Sequence, residues 1–185
     1  MFNKLLANIA KSLNTKKIDY MVIGGQAVLL YGEPRFTKDI DITLGLDLSG
    51  LNLIIDIVSH LRLTILPDSI EEFVKQTMVL PTLDPKTGLR VDFIFSYSNY
   101  EREALKRIKK VKFGRVDVNF ASLEDVVIHK IISGRPRDIE DIKIMLLKNP
   151  GFDRNYITLW LQKFDRVLKQ KYNRVFKKIE KEIED

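Results

Sequence analysis

Two aspartates, Asp39 and Asp41, stand one residue apart at the head of an apolar run, Asp39-Ile-Asp-Ile-Thr-Leu44. In a strand, side chains at i and i+2 share a face. Their carboxylates therefore project together, while Ile40 and Ile42 turn the other way into a core. Carboxylates held side by side repel each other and call for a cation between them. Hard oxygen donors of this kind suit Mg2+, with Mn2+ as the alternative. A Gly24-Gly25 pair lies upstream with thirteen residues between it and Asp39, where another apolar stretch runs into a short helix. Backbone without a side chain can approach a phosphate closely, and a helix N-terminus offers its N–H groups to an anion.

A third carboxylate extends this pattern. Asp92 lies mid-strand between Val91 and Phe93, where a charge is costly unless it is solvated, paired or metal-bound. If the strand Arg90–Phe95 lies beside the strand Asp39–Leu44, all three aspartates converge. They could then hold two Mg2+ ions about 4 Å apart. One ion would acidify an attacking hydroxyl, and the other would stabilise a departing pyrophosphate. Asp92 would be placed to accept the proton of the hydroxyl.

The elements needed to position these residues can be read from periodicity. Helices are expected over 3–15, 25–31, 51–61, 69–76, 123–132, 137–148 and 154–183. Strands are expected over 19–23, 39–44 and 90–95, with a hairpin of 111–113 and 116–120 around Gly114-Arg115. Residues 83–88, Leu-Asp-Pro-Lys-Thr-Gly, form a turn signal. Ser122 with Asp125 three residues on approximates a capping box. The fold class expected is α+β: a mixed sheet flanked by helices, with a helical C-terminal extension. Residues 1–121 would form the core, and 122–185 a helical region packed on it.

Each feature also has a plainer explanation. Gly24-Gly25 could be only a tight strand-to-helix turn, and Asp39 and Asp41 only a solvated edge. Asp92 could pair with Arg90 or Lys38. Arg137 and Asp141 stand at i and i+4 for an internal pair. His60 and His129 have no second ligand at metal spacing.

Composition narrows the classes further. The chain has 185 residues, 45% of them hydrophobic, and no cysteine. That excludes a disulfide framework, thiolate metal sites and a cysteine nucleophile, and it fits a reducing cytoplasm. The N-terminus reads as an amphipathic helix without a cleavage pattern, not as a signal peptide. No apolar run is long enough to span a bilayer. A net charge of +6 allows a nucleotide or nucleic-acid partner. Basic side chains gather in 102–115 and again in 154–178. The second stretch also carries an apolar stripe from Ile157 to Ile179, read chiefly as a packing helix, with an RNA track or contact with a second subunit as alternatives.

As a set, Gly24, Gly25, Asp39, Asp41 and Asp92 match the motif positions of the DNA polymerase β-like nucleotidyltransferase superfamily, which the chain resembles. Residues 35–41, Arg-Phe-Thr-Lys-Asp-Ile-Asp, and residues 123–142 are also similar to the AbiEii-type toxin nucleotidyltransferases and their relatives. That resemblance implies nucleotide-binding roles for Arg35, Thr37, Lys130 and Arg135, and extends to Arg137, Asp138 and Asp141. The superfamily often carries serine where Gly25 stands, so one side-chain contact to the γ-phosphate would be missing. The implied activity is Mg2+-dependent transfer of a nucleoside monophosphate from an NTP to a hydroxyl on RNA, protein or a small molecule. A toxin–antitoxin or phage-defence setting is implied with it. The alternative is a non-catalytic member that binds a partner protein.

Overall fold

The computed structural model describes residues 2–33, 39–96 and 98–184. The chain divides into two compact units, Met1–Gln26 with Phe36–Ala121 and Ala27–Arg35 with Ser122–Asp185.

The first unit holds the sheet. Its strands are β1 (Tyr20–Ile23), β2 (Asp39–Leu44), β3 (Thr64–Ile65), β4 (Val79–Leu83), β5 (Arg90–Phe95), β6 (Lys109–Phe113) and β7 (Val116–Phe120). Among the described residues they form one sheet in the order β3-β4-β5-β2-β1-β7-β6. The sheet is mixed. β2 runs parallel to β5 and antiparallel to β1, and β1 runs parallel to β7. Helices α1 (Phe2–Thr15), α3 (Leu51–His60), α4 (Ile70–Thr77) and α5 (Asn99–Lys106) complete this unit.

Alternation fixes how β2 and β5 sit. Ile40, Ile42 and Leu44 on β2 and Val91, Phe93 and Phe95 on β5 are all fully buried. The intervening Asp39 is exposed, and Asp41 and Asp92 are half-buried. Burying each large apolar side chain is worth about 1.5–3 kcal/mol. A slip of one residue would exchange those side chains for carboxylates, so the register is held strongly.

β3 and β4 were not expected from the sequence. β4 carries Pro81, a residue that argues against an interior strand. The Pro81 carbonyl accepts from Leu66 N–H at 3.1 Å, so its ring nitrogen points the same way, toward the end of the two-residue strand β3. The missing N–H falls where the ladder is already finishing. The 83–88 turn connects β4 to β5. Asp84 accepts from Thr87 Oγ1 at 2.6 Å and from Lys86 N–H at 3.2 Å, and Gly88 takes φ +68°.

α2 (Gly24–Tyr31) begins in the first unit, and its residues from Ala27 belong to the second. The second unit continues with α6 (Leu123–Ser133), α7 (Pro136–Lys148), α8 (Arg154–Leu168) and α9 (Tyr172–Glu184). Gly134, at φ +65°, closes α6, and Pro136 opens α7. The single helix expected over 154–183 is two. Lys169 turns into the left-handed region at φ 52°. Asp165 then caps the next helix, accepting from Tyr172 N–H at 2.5 Å and Asn173 N–H at 3.2 Å. The apolar spacing ran through this break without marking it. Leu168 and Val175, both in the expected stripe, are 46% and 38% exposed, so the buried stripe does not continue unbroken across the join.

Candidate active site: three carboxylates beside a glycine turn

β1 ends at Ile23, whose partner across the antiparallel ladder is Asp41. That pairing delivers Gly24 directly beside the Asp41 carboxylate. Gly24 has φ +66°, which disfavours any L side chain. A Cβ there would overlap the Asp41 carboxylate oxygen and lie 3.1 Å from its Cγ. Gly24 and Gly25 are the first two residues of α2, so N–H groups without an intrahelical partner lie next to the carboxylates.

On the other side of β2, Asp41 is level with Asp92 of β5, and Asp39 is level with Arg90. Neighbouring strands lie about 4.8 Å apart, and residues i and i+2 about 6.6 Å apart. The structure therefore brings Asp39, Asp41 and Asp92 onto one face, with neighbouring backbone positions about 5 to 8 Å apart.

A further residue enters this group. Arg90 Nε donates to Asp92 Oδ1 at 2.7 Å. The hydrogen bond with Asp92 raises the pKa of the guanidinium, desolvation opposes the rise, and the charges of Asp92, Asp39 and Asp41 add to it. Arg90 thus feels all three carboxylates. Sequence reasoning held Arg90 only as a plain partner for Asp92, and that pairing is what forms. Its i−2 position on the same strand face was the available signal. Among the described residues, no group of three or more His, Cys, Asp or Glu side chains is gathered tightly enough to hold a metal ion. The three aspartates share a face, Asp41 and Asp92 share a register position, and Asp92 is turned to Arg90.

The donor set still fits a hard divalent cation. It consists of carboxylate oxygens alone on one face of the sheet, with Asp39 exposed and Asp41 and Asp92 half-buried.

Arg35 and Thr37, with Lys38, lie outside the described residues. Lys130, on α6, is buried, and its Nζ contacts Asp138 and also donates to Asp141 at 2.8 Å. Ser133 Oγ donates to Asp138 at 2.9 Å. Burial pushes the Asp138 carboxyl up, but the Lys130 and Ser133 hydrogen bonds and the Lys130 and Arg135 charges outweigh it, so its pKa is lowered. The R-x-R-D-x-x-D segment thus serves, through its aspartates, to pair a buried lysine. Arg135 is the N-cap of α7 and is exposed.

The fold is that of the nucleotidyltransferases. The antibiotic-resistance factor ANT(2'')-Ia aligns with a TM-score of 0.62 at 13% identity, covering 90% of this chain and 92% of its own. The lincosamide antibiotic adenylyltransferase LnuA, solved with lincomycin bound, aligns at 0.54 and 17% identity over 77% of this chain and 94% of its own. An antigenic nucleotidyltransferase-like protein from Paracoccidioides brasiliensis aligns at 0.56 and 19% identity over 78% and 74%. No curated protein sequence matches the chain. Residues 2–150 match the family described as nucleotidyltransferase of unknown function, DUF6036, and the chain belongs to that family. Among the described residues, no helix is long and apolar enough to cross a membrane.

Proposed function

We propose that this nucleotidyltransferase transfers a nucleoside monophosphate from an NTP to a hydroxyl, using Asp39, Asp41 and Asp92 to hold Mg2+. The observation that carries the proposal is the register of Asp41 with Asp92 beside Gly24. Bound there, the ions would offset phosphate charge and acidify the attacking hydroxyl.

The chain's own groups supply the rest. The backbone N–H groups at Gly24 and Gly25 receive the phosphates of the nucleotide, as helix starts do. The Asp92 carboxylate accepts the proton of the acceptor hydroxyl. The acceptor oxygen attacks the α-phosphorus, the bond from that phosphorus to the bridging oxygen of the β-phosphate breaks, and pyrophosphate leaves. Arg35 and Thr37 are proposed to contact the nucleotide. The acceptor is a hydroxyl-bearing molecule. Among fold relatives, ANT(2'')-Ia has been solved with adenylyl-2''-tobramycin, which supports a small-molecule hydroxyl as the first class to try.

The test is incubation with each α-labelled NTP, Mg2+ and, in turn, a panel of small polyols, total RNA and a cell lysate. Label should pass to one acceptor class, with equimolar pyrophosphate. Background signal equal in wild type and in Asp41→Asn across all arms would instead favour a non-catalytic role, such as binding a partner in a toxin–antitoxin pair.

A further inference from the structure

We infer that Arg90 is a built-in counter-cation of the carboxylate site: it positions Asp92 before metal arrives and competes with the divalent ion for that carboxylate. The inference rests on the proposed metal role of Asp39, Asp41 and Asp92.

Three observations carry it. Arg90 is level with Asp39 across β2 and two residues from Asp92 along β5, so its side chain leaves the strand on the carboxylate face. Its Nε meets Asp92 Oδ1 at 2.7 Å. Among the described residues, Arg90 is the cation that forms an ion pair with Asp92.

Three carboxylates on one face repel one another, and one guanidinium offsets part of that repulsion. The Arg90 side chain is 48% exposed and that of Asp92 16%, so the guanidinium can swing to solvent when a divalent ion takes its place on the carboxylate. A divalent ion brings twice the charge in a smaller radius and can replace it. Binding of metal then includes the cost of moving Arg90 aside. In return, Asp92 is held near its working rotamer in the absence of metal, which lowers the ordering cost when the ion binds.

The experiment measures Mn2+ binding without nucleotide, from the electron paramagnetic resonance signal of unbound Mn2+, for wild type, Arg90→Gln, Arg90→Lys, Asp41→Asn and Arg115→Gln. Circular dichroism confirms that each variant is folded. Removing the competing charge should tighten Mn2+ binding about 5- to 10-fold in Arg90→Gln. Arg90→Lys keeps the charge and should stay within about twofold of wild type. Arg115→Gln makes the same charge change in the turn between β6 and β7, and should not move the affinity. Equal or weaker binding by Arg90→Gln, or an equal gain in Arg115→Gln, would overturn the inference and leave the metal site standing. Wild type that binds no Mn2+, or Asp41→Asn that binds as well as wild type, would overturn the metal site itself.

Discussion

Gly24 and Asp41 are pressed together so closely that no side chain fits between them: a Cβ on Gly24 would overlap the Asp41 carboxylate. The relationship follows from the pairing of Ile23 with Asp41, which brings the turn after β1 up to the middle of the acidic strand. Gly24→Ala should therefore cost twice. The left-handed backbone disfavours alanine by about 1 kcal/mol, and the added methyl displaces the carboxylate. We expect loss of at least 10-fold in nucleotidyl transfer, with a fall in melting temperature of a few degrees. A Gly24→Ala protein with wild-type turnover would show that the close approach has no part in the chemistry.

Lys130 offers a contrast. Its ammonium is buried between Asp138 and Asp141. Lys130→Ala leaves two carboxylates without their shared cation, and breaking a buried pair costs about 3–5 kcal/mol. The expected result is a drop in melting temperature on the order of 10 °C by calorimetry. A variant of unchanged stability that binds NTP poorly would instead support the nucleotide contact that the family resemblance implies for Lys130.

The same cluster predicts an acid dependence. The Asp138 pKa is lowered in the folded protein, so its stabilisation is complete above the unfolded value and is lost as pH falls through the folded one. Wild type should exceed Asp138→Asn in stability at pH 6, and the gap should narrow below about pH 4. Urea unfolding from pH 6 down to 3 measures it. A gap that stays constant over that range would mean Asp138 is not the group responsible.

Asp125 anchors α6 and is fully buried. It accepts from Ser122 Oγ at 2.6 Å and from Tyr156 Oη at 2.9 Å, while Ser122 Oγ accepts from Asp125 N–H at 3.1 Å. Tyr156→Phe removes one donor from a buried carboxylate, at about 1.5–3 kcal/mol. Calorimetry should show the loss; equal stability would mean that the bond contributes nothing net.

The acidic face was legible because its signal is local. Asp39, Asp41 and Asp92 each interrupt an apolar run with period two, and sequence carries that directly. What brings them together is not local. Only the ladder pairs Asp41 with Asp92 and Ile23 with Asp41, and no spacing within one segment encodes it. β4 was missed because Pro81 reads as a breaker, and its tolerance depends on where the short partner β3 ends. The break at Lys169 was missed because the apolar spacing of α8 and α9 stays in step across it, while Asp165 acts as a cap from four residues back. Lys130 looked like a phosphate contact by resemblance. Its burial, and its two carboxylate partners on the next helix, depend on how α6 and α7 pack.

The account depends most on Asp39, Asp41 and Asp92 sharing metal ions that face the Gly24–Gly25 turn. Crystals grown with Mn2+ and a non-hydrolysable NTP, measured at the manganese edge, test it directly. We predict anomalous peaks about 2.1 Å from oxygens of all three carboxylates, with nucleotide phosphate against the Gly24 and Gly25 N–H groups. Manganese bound away from these aspartates, or Asp92 still paired to Arg90 with nucleotide and metal in place, would contradict it.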